Sequence, residues 1–310
     1  MKINNESSAP PELDSDATVF ITALGYESRS RWSAENLRFN ARKKIAIRFG
    51  YSETAAFPIN YETFVSLGFD IVDSSKQRYE QQLIETVLAS IGSHDENVRI
   101  ILDFSVMSRL MLADVVTVLG DLASIRPINV YSMYMPSAYL PPGEPMQLNK
   151  AEPVRAEFSG WSAHPDIPLA AFVGLGYEEG LALGAIEFLD PSYIWCFEPK
   201  GDDLRYAEKL ADANRSVKRS FDATFLEYDL RDPIGLRSRI DELLRNLRGR
   251  ARVAIIPFGP KLFAWISMLI AMQDSTGDLS VWRFSTHDQN QAVDRQPAGS
   301  PIWYSFLASK

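Results

Sequence analysis

The chain has 310 residues, 46% of them apolar and 23% charged, with a net charge of −8. That length fits roughly two domains of about 150 residues each, and the acidic balance argues against bulk nucleic-acid binding. The lone cysteine, Cys196, excludes an internal disulfide and, with no apolar stretch long enough to span a bilayer, points to a cytoplasmic protein without a membrane segment.

Residues 1–16 are polar, carry Pro10 and Pro11, and lack the apolar core of a signal peptide, so a flexible lead is expected. Strand and helix signals then alternate over 17–135. The apolar run 19–24 reads as a strand and 28–37 as a helix. Residues 44–49 alternate at period two, as a strand should, and 70–72 form a third short strand. Residues 77–91 place Leu83, Ile84, Val87, Leu88 and Ile91 on one helical stripe. A strand at 98–104, a helix at 109–123 and a strand at 128–135 complete the first domain.

Residues 136–168 hold seven prolines and read as a linker, with a short extra element expected around 149–158. The order then repeats over 169–288. Strands are expected at 170–175, 193–197, 224–228, 253–258 and 279–284. Helices are expected at 181–189, 203–221, from Asp232, and over 262–273. Asp232 followed by Pro233 is a good helix start, a cap and then proline at the first helical position. The arginines of that helix (Arg237, Arg239, Arg245, Arg248 and Arg250) read as a solvated, salt-bridged face. Residues 289–310 form a tail whose segment 301–307 is apolar enough to dock on the body. Strands alternating with helices imply parallel sheets covered on both faces. The expected fold is α/β, two tandem Rossmann-like doubly wound domains related by a pseudo-two-fold axis.

One signature occurs twice, 151 residues apart: Leu24-Gly25-Tyr26-Glu27 and Leu175-Gly176-Tyr177-Glu178, each after the first strand of its half. Repetition on this scale indicates two copies of one folding unit. Open α/β sheets bind ligands beyond the C-terminal strand ends at the switch point, beside strands one and four. The unusual residues fall there in both halves. Gly25 and Gly176 permit close backbone approach. Tyr26 and Tyr177 either cap the sheet end or stack on a base. Glu27 and Glu178 either complement a helix dipole or bind polar ligand groups. After strand four come Asp103, Ser105 and Arg109 in one half and Gly259 and Lys261 in the other. Arg29, Arg109 and Lys261 sit at helix starts, where a cation opposes the dipole unless an anion is bound or an ion pair forms. Asp103 is either a cap or a carboxylate orienting a ligand group.

Neither copy is a full G-x-G-x-x-G, and no phosphate-binding G-x-x-x-x-G-K-[ST] occurs. Cys196 sits in an apolar run and reads as an inert core thiol. His94, His164 and His287 are far apart, no metal-ligand spacing occurs, and neither metal nor cofactor is expected. His287, next to Asp288, follows the last strand and is a weak candidate for a site role.

The placement of motifs after strands one and four of each half resembles that of the CARF-like sensor superfamily, the ring-nucleotide-sensing Rossmann-like domains of bacterial antiviral systems. Asp103 to Arg109 and Phe258-Gly259-Pro260-Lys261 look like diverged forms of its second motif, whereas Gly-Tyr-Glu has no match there. The Thr-Lys pair usual in that superfamily is absent from both copies. The resemblance implies paired domains, as in the fused SAVED-like members, and a nucleotide ligand in the cleft where the copies meet. The two domains fill the length, so a sensor of this kind is expected to act through a separate effector protein. The expected function is therefore sensing of an anionic, nucleotide-like molecule. Two alternatives stand: a hydrolase or transferase acting on a phosphodiester or N-glycosidic bond, with Glu27 or Asp103 as acid–base group, and a non-catalytic scaffold.

Overall fold

A computed structural model describes residues 1–11, 16–37, 39–49, 53–92, 98–143, 150–285 and 293–310. His94, His287 and Asp288 lie outside the described residues. The chain forms two compact units, Met1–Ala138 with Asn290–Lys310, and Tyr139–Gln289.

The first unit begins with β1 (Lys2–Ser7), β2 (Ala17–Leu24), a 3-10 turn (Ser28–Arg31) continued by α1 (Trp32–Asn36), and β3 (Ala41–Arg48). It proceeds through α2 (Phe57–Ser66), β4 (Asp70–Asp73), α3 (Tyr79–Ala89), β5 (Val98–Asp103), α4 (Arg109–Ile125) and β6 (Ile128–Tyr134). The second unit runs β7 (Lys150–Pro153), a 3-10 turn (Ala156–Phe158), β8 (Leu169–Gly174), α5 (Leu181–Leu189), β9 (Tyr193–Lys200), α6 (Leu204–Ala213) and α7 (Arg215–Ser220). It continues through β10 (Thr224–Asp229), α8 (Pro233–Leu247), β11 (Arg252–Pro257), α9 (Lys261–Ala271) and β12 (Leu279–Ser285); the last strand, β13 (Ile302–Ser309), belongs to the first unit.

The seven-stranded sheet has the order β1-β13-β6-β5-β2-β3-β4, and the six-stranded sheet β10-β9-β8-β11-β12-β7. The five strands from β6 to β4 are mutually parallel, as are those from β10 to β12. Counted along the chain, each parallel set has the order 3-2-1-4-5, the Rossmann arrangement. The protein is thus an α/β chain of two Rossmann-like domains. In each, strand one lies between strands two and four, so a switch point opens at the C-terminal ends of β2 and β5, and of β8 and β11.

The sequence explains the layering. All eight residues of β2 are buried, as a central parallel strand covered on both faces requires. The helices α4 and α9 are apolar almost all round and sink into the cores, with Trp265 and Phe263 fully buried. Asp232 caps α8 by accepting the Gly235 N–H at 2.8 Å, with Pro233 at the first helical position.

Three features depart from the sequence reading and one matches it. The expected flexible lead holds β1, which pairs antiparallel with β13 at Lys2↔Ser309 and Ile3↔Ala308. The tail does more than dock: β13 is antiparallel to β6 from Ile302↔Tyr134 to Ala308↔Ile128 and is a full member of the sheet. The short element expected around 149–158 is present as β7, which pairs antiparallel with the β12 edge, and the 3-10 turn after it. The single helix expected over 203–221 is broken at Asn214 into α6 and α7. There the side chain turns inward to backbone carbonyls, a competing hydrogen-bonding choice open to asparagine. Among the described residues, no helix is long and apolar enough to cross a membrane.

Candidate functional site

The twin Gly-Tyr-Glu turns are held by the same device. In the first unit Asn60, on α2, donates from Nδ2 to the carbonyls of Gly25 (2.8 Å) and Glu27 (2.9 Å). Its Oδ1 accepts from Arg31 at 2.7 Å. In the second unit Asn214 donates from Nδ2 to the carbonyls of Gly176 and Leu210, both at 2.8 Å. Both asparagines are buried, at 0% and 1% exposure, and lie 35 and 38 residues beyond their glycines. A buried amide that satisfies two carbonyls is costly to remove, because each orphaned acceptor bears its own desolvation penalty. Asn60→Ala should therefore lower the stability of the first unit by about 2–3 kcal/mol in urea denaturation. A loss below about 0.5 kcal/mol would count against the clamp.

At the first unit's switch point the charged candidates are locked together. Glu27 (7% exposed) accepts from Arg29 Nε at 2.5 Å, and Arg29 (3% exposed) also donates from Nη1 to the Met135 carbonyl at 2.9 Å. The guanidinium lies 5.9 Å from the Tyr134 ring centroid. Burial works against the charge, but Glu27 and Tyr134 outweigh it and hold the Arg29 pKa above its ordinary value. A phosphate would have to displace Glu27 to reach Arg29. Ion pairing, one of its two expected roles, is the one the geometry realises.

Asp103 ends β5 at 2% exposure. Its Oδ1 accepts from the Ser105 N–H (2.9 Å) and from Ser105 Oγ (2.5 Å), so it caps the tight turn that follows. Ser105 Oγ in turn accepts the Met135 N–H at 2.7 Å. Ser108, not Asp103, caps α4, accepting from the Met111 N–H at 3.1 Å. Among the described residues, Asp103 Oδ2 and the neighbouring Ser33 Oγ are buried without a hydrogen bond of acceptable geometry. Burial pushes the Asp103 pKa up, against the opposing influence of Ser105, Ser33 and Arg29. Tyr26 packs on Phe49 at 6.5 Å between ring centroids, and a Cβ on Gly25 would meet the Phe49 ring at 3.0 Å.

The tail crosses this region. The Asp294 carboxylate accepts from the Ser28 N–H (2.5 Å) and Oγ (2.7 Å), and Gln296 Nε2 donates to both Ser28 Oγ and Asp294. The Arg29 N–H donates to the Arg295 carbonyl at 3.3 Å. The start of the turn where an anion was expected thus receives the chain's own carboxylate. Nothing in the local sequence of either segment signals this pairing across more than 260 residues.

The second unit's switch point is built differently. Phe258 and Gly259 N–H groups both donate to the Gly174 carbonyl at 2.9 Å, drawing the β11 loop onto the end of β8. A Cβ on Gly259 would collide with the Leu175 carbonyl oxygen and lie 3.1 Å from its carbon. Only glycine permits this approach. The eleven-residue α9 starts immediately afterwards with half-buried Lys261; its N-cap, Pro260, has no side chain able to accept a hydrogen bond from the first turn. Glu178 folds back over the glycine turn, its Oε2 lying 2.5 Å from where a Gly176 Cβ would stand. Tyr177 is half-buried and in ring contact with Tyr206 of α6 at 5.3 Å. The positions matching Asp103 and Ser105 are Pro257 and Gly259, and the one matching Arg29 is Gly180.

Other candidates fall elsewhere. Arg109 opens α4 and is half-buried. Cys196 is fully buried; burial, with the Glu198 carboxylate, pushes its thiol up to about 12, which suits core packing rather than nucleophilic attack. His164 is exposed. Arg237 is not on a solvated face but is buried at 7% exposure, bonded to Gln273 at 3.2 Å and 3.5 Å from Asp241. It lines a cleft of about 260 Å³ with Arg245, Arg248, Asp274 and Asp278, at the opposite end of the sheet from the switch point. Among the described residues, no group of three or more His, Cys, Asp or Glu is arranged to hold a metal ion.

The fold and its paired switch points define a tandem Rossmann-like α/β protein. No protein-family model matches the chain, and no curated protein matches its sequence.

Proposed function

We propose that the protein recognises an anionic, nucleotide-like ligand at the second unit's switch point, and that recognition rather than catalysis is its role. The observation that carries this reading is the junction of Gly259 with Lys261. Gly259 lets the loop abut the β8 end, and the loop delivers a cation to the start of an eleven-residue helix whose N-cap, Pro260, has no side-chain acceptor. Backbone N–H groups and the helix dipole favour an anion there, and a lysine ammonium adds a point charge. The half-buried Gly176-Tyr177-Glu178 turn borders the same strand end. This agrees with the likeness to CARF-like sensors noted above.

The acid–base alternative draws less support. Glu27 is engaged by Arg29, Asp103 is buried on Ser105, and the matching second-unit positions of Asp103 and Ser105 carry no titratable group. A general acid or base must reach its substrate within hydrogen-bond distance, and both carboxylates are buried, Glu27 at 7% and Asp103 at 2% exposure.

Inorganic pyrophosphate and a nucleotide panel are the probes. At about 100 times Kd, a ligand specific for the native state raises stability by about 2.7 kcal/mol, visible as a shift in the melting curve. Lys261→Ala should remove most of the pyrophosphate shift while leaving the unliganded melting curve near wild type. If no anion shifts the wild type, or Lys261→Ala responds like it, the reading fails.

A further inference from the structure

The second unit carries a cluster of three tyrosines beside its Gly-Tyr-Glu turn. Tyr206 is the middle ring: it meets Tyr139 edge-to-face at 5.1 Å and 81°, and Tyr177 at 5.3 Å and 55°. The Arg205 guanidinium lies 4.9 Å from the Tyr139 ring centroid. Asp203 fixes that guanidinium through two hydrogen bonds, to Nε at 2.9 Å and to Nη2 at 2.6 Å, and also accepts the Arg205 N–H at 3.1 Å as the cap of α6. All three tyrosines are half-buried, so each ring keeps part of its surface in water.

Near the first unit's equivalent turn, half-buried Tyr26 packs on buried Phe49 against the core, Tyr61 of α2 stacks on buried Phe57 at 6.3 Å and 24°, and the Arg48 guanidinium lies 5.6 Å from the Phe57 ring centroid. The first-unit rings lean on Phe49 and Phe57, which are core residues, whereas Tyr139, Tyr177 and Tyr206 contact one another and all stay half-buried. The second-unit set thus gathers aromatic area and an oriented cation at the rim of a switch point, where open α/β sheets bind ligands.

We infer that Tyr139, Tyr177 and Tyr206, with Arg205, form a stacking subsite for a planar heteroaromatic ring, such as the base of a nucleoside. Every base has a π-face, so stacking tolerates base identity, and an arginine held beside the rings adds a cation–π contribution. The inference rests on the reading of this switch point as a ligand site, and gives that ligand its flat portion next to the anionic one.

Adenosine, which carries no phosphate, tests the platform separately from the anion site. Saturation-transfer NMR on the full chain should show transfer to the purine protons. Tyr206→Ala should weaken adenosine binding about tenfold, while Tyr206→Phe, which keeps the ring, should bind like wild type. Pyrophosphate stabilisation should be the same in all three proteins, and circular dichroism should confirm that each is folded. No transfer from the wild type, or undiminished binding by Tyr206→Ala, overturns the subsite. Adenosine binding without a pyrophosphate shift leaves the platform standing and removes the anion reading. A pyrophosphate shift without adenosine binding does the reverse.

Discussion

Replacing Arg29 by alanine should destabilise the first unit by about 3–5 kcal/mol, enough to lower its melting temperature by roughly 10 °C. The reason is asymmetric. Forming a buried ion pair gains little, because both charges lose their water. Removing one partner is a different matter: Glu27, at 7% exposure, would keep a charge with no guanidinium beside it, and the Met135 carbonyl would lose its donor. The double variant Glu27→Gln with Arg29→Met should recover much of the loss, since neither residue then buries a charge. Urea denaturation of the four proteins closes a double-mutant cycle. Hydrogen exchange resolves the effect to β2, β5 and β6 and separates it from the second unit. A cost below about 1 kcal/mol for Arg29→Ala would mean that water reaches this pair, and the view of the first switch point as internally sealed would fall.

The parallel strands were legible because each is a short apolar run bounded by turn residues, and the alternation with helices specifies the sheet type. The end strands were not. The sequence Lys-Ile-Asn-Asn-Glu-Ser of β1 has one buried apolar side chain, Ile3, and forms a strand because β13 offers it a backbone edge. Such pairing is a property of the neighbour, invisible in local composition. The helix α2 also escaped notice. It opens with Phe57-Pro58 and buries only Phe57, Asn60 and Phe64, too sparse a stripe to announce itself. That omission concealed Asn60, the residue that fixes the first Gly-Tyr-Glu turn. Asn214 was visible but read as a helix-interior residue, although asparagine is a poor choice for one. A pair of asparagines at similar distances from the repeated glycines, 35 and 38 residues, was the available signal.

The site itself was half legible. The repeat located both switch points, and the strand pairing places the motif residues of each unit at the ends of adjacent strands. What spacing could not convey is which way a charged side chain turns. Arg29 has its carboxylate two residues away and goes inward; Lys261 has Gly259 and Pro260 before it and no such neighbour in sequence. The copies have consequently diverged in opposite senses. One filled its switch point with an ion pair, a capped turn and the Asp294 carboxylate from the tail. The other keeps a glutamate at the Glu27 position but has Gly180, Pro257 and Gly259 where Arg29, Asp103 and Ser105 would stand.

Gly259→Ala should therefore be strongly damaging to the second unit, at about 3 kcal/mol, the upper part of the range for overpacking a rigid site. The obstacle is backbone. The added methyl would strike the Leu175 carbonyl, and that carbonyl cannot rotate away as a side chain could. Relief requires the β11 loop to lift from β8, which strains the bonds from Phe258 and Gly259 N–H to the Gly174 carbonyl and shifts Lys261 with the start of α9. Stability and anion binding should fall together, with the urea m-value unchanged if the unfolded state is unaffected. Gly184→Ala supplies the contrast in the same unit. Gly184 is exposed within α5 and a Cβ there meets nothing within 4 Å, so alanine should stabilise by about 0.5–1 kcal/mol through helix propensity. Opposite signs for one chemical change separate a glycine kept for backbone approach from one that is merely tolerated. If Gly259→Ala unfolds at the wild-type urea midpoint and still responds to pyrophosphate, the β8 and β11 loops do not meet as described, and the ligand site built on their junction is lost with them.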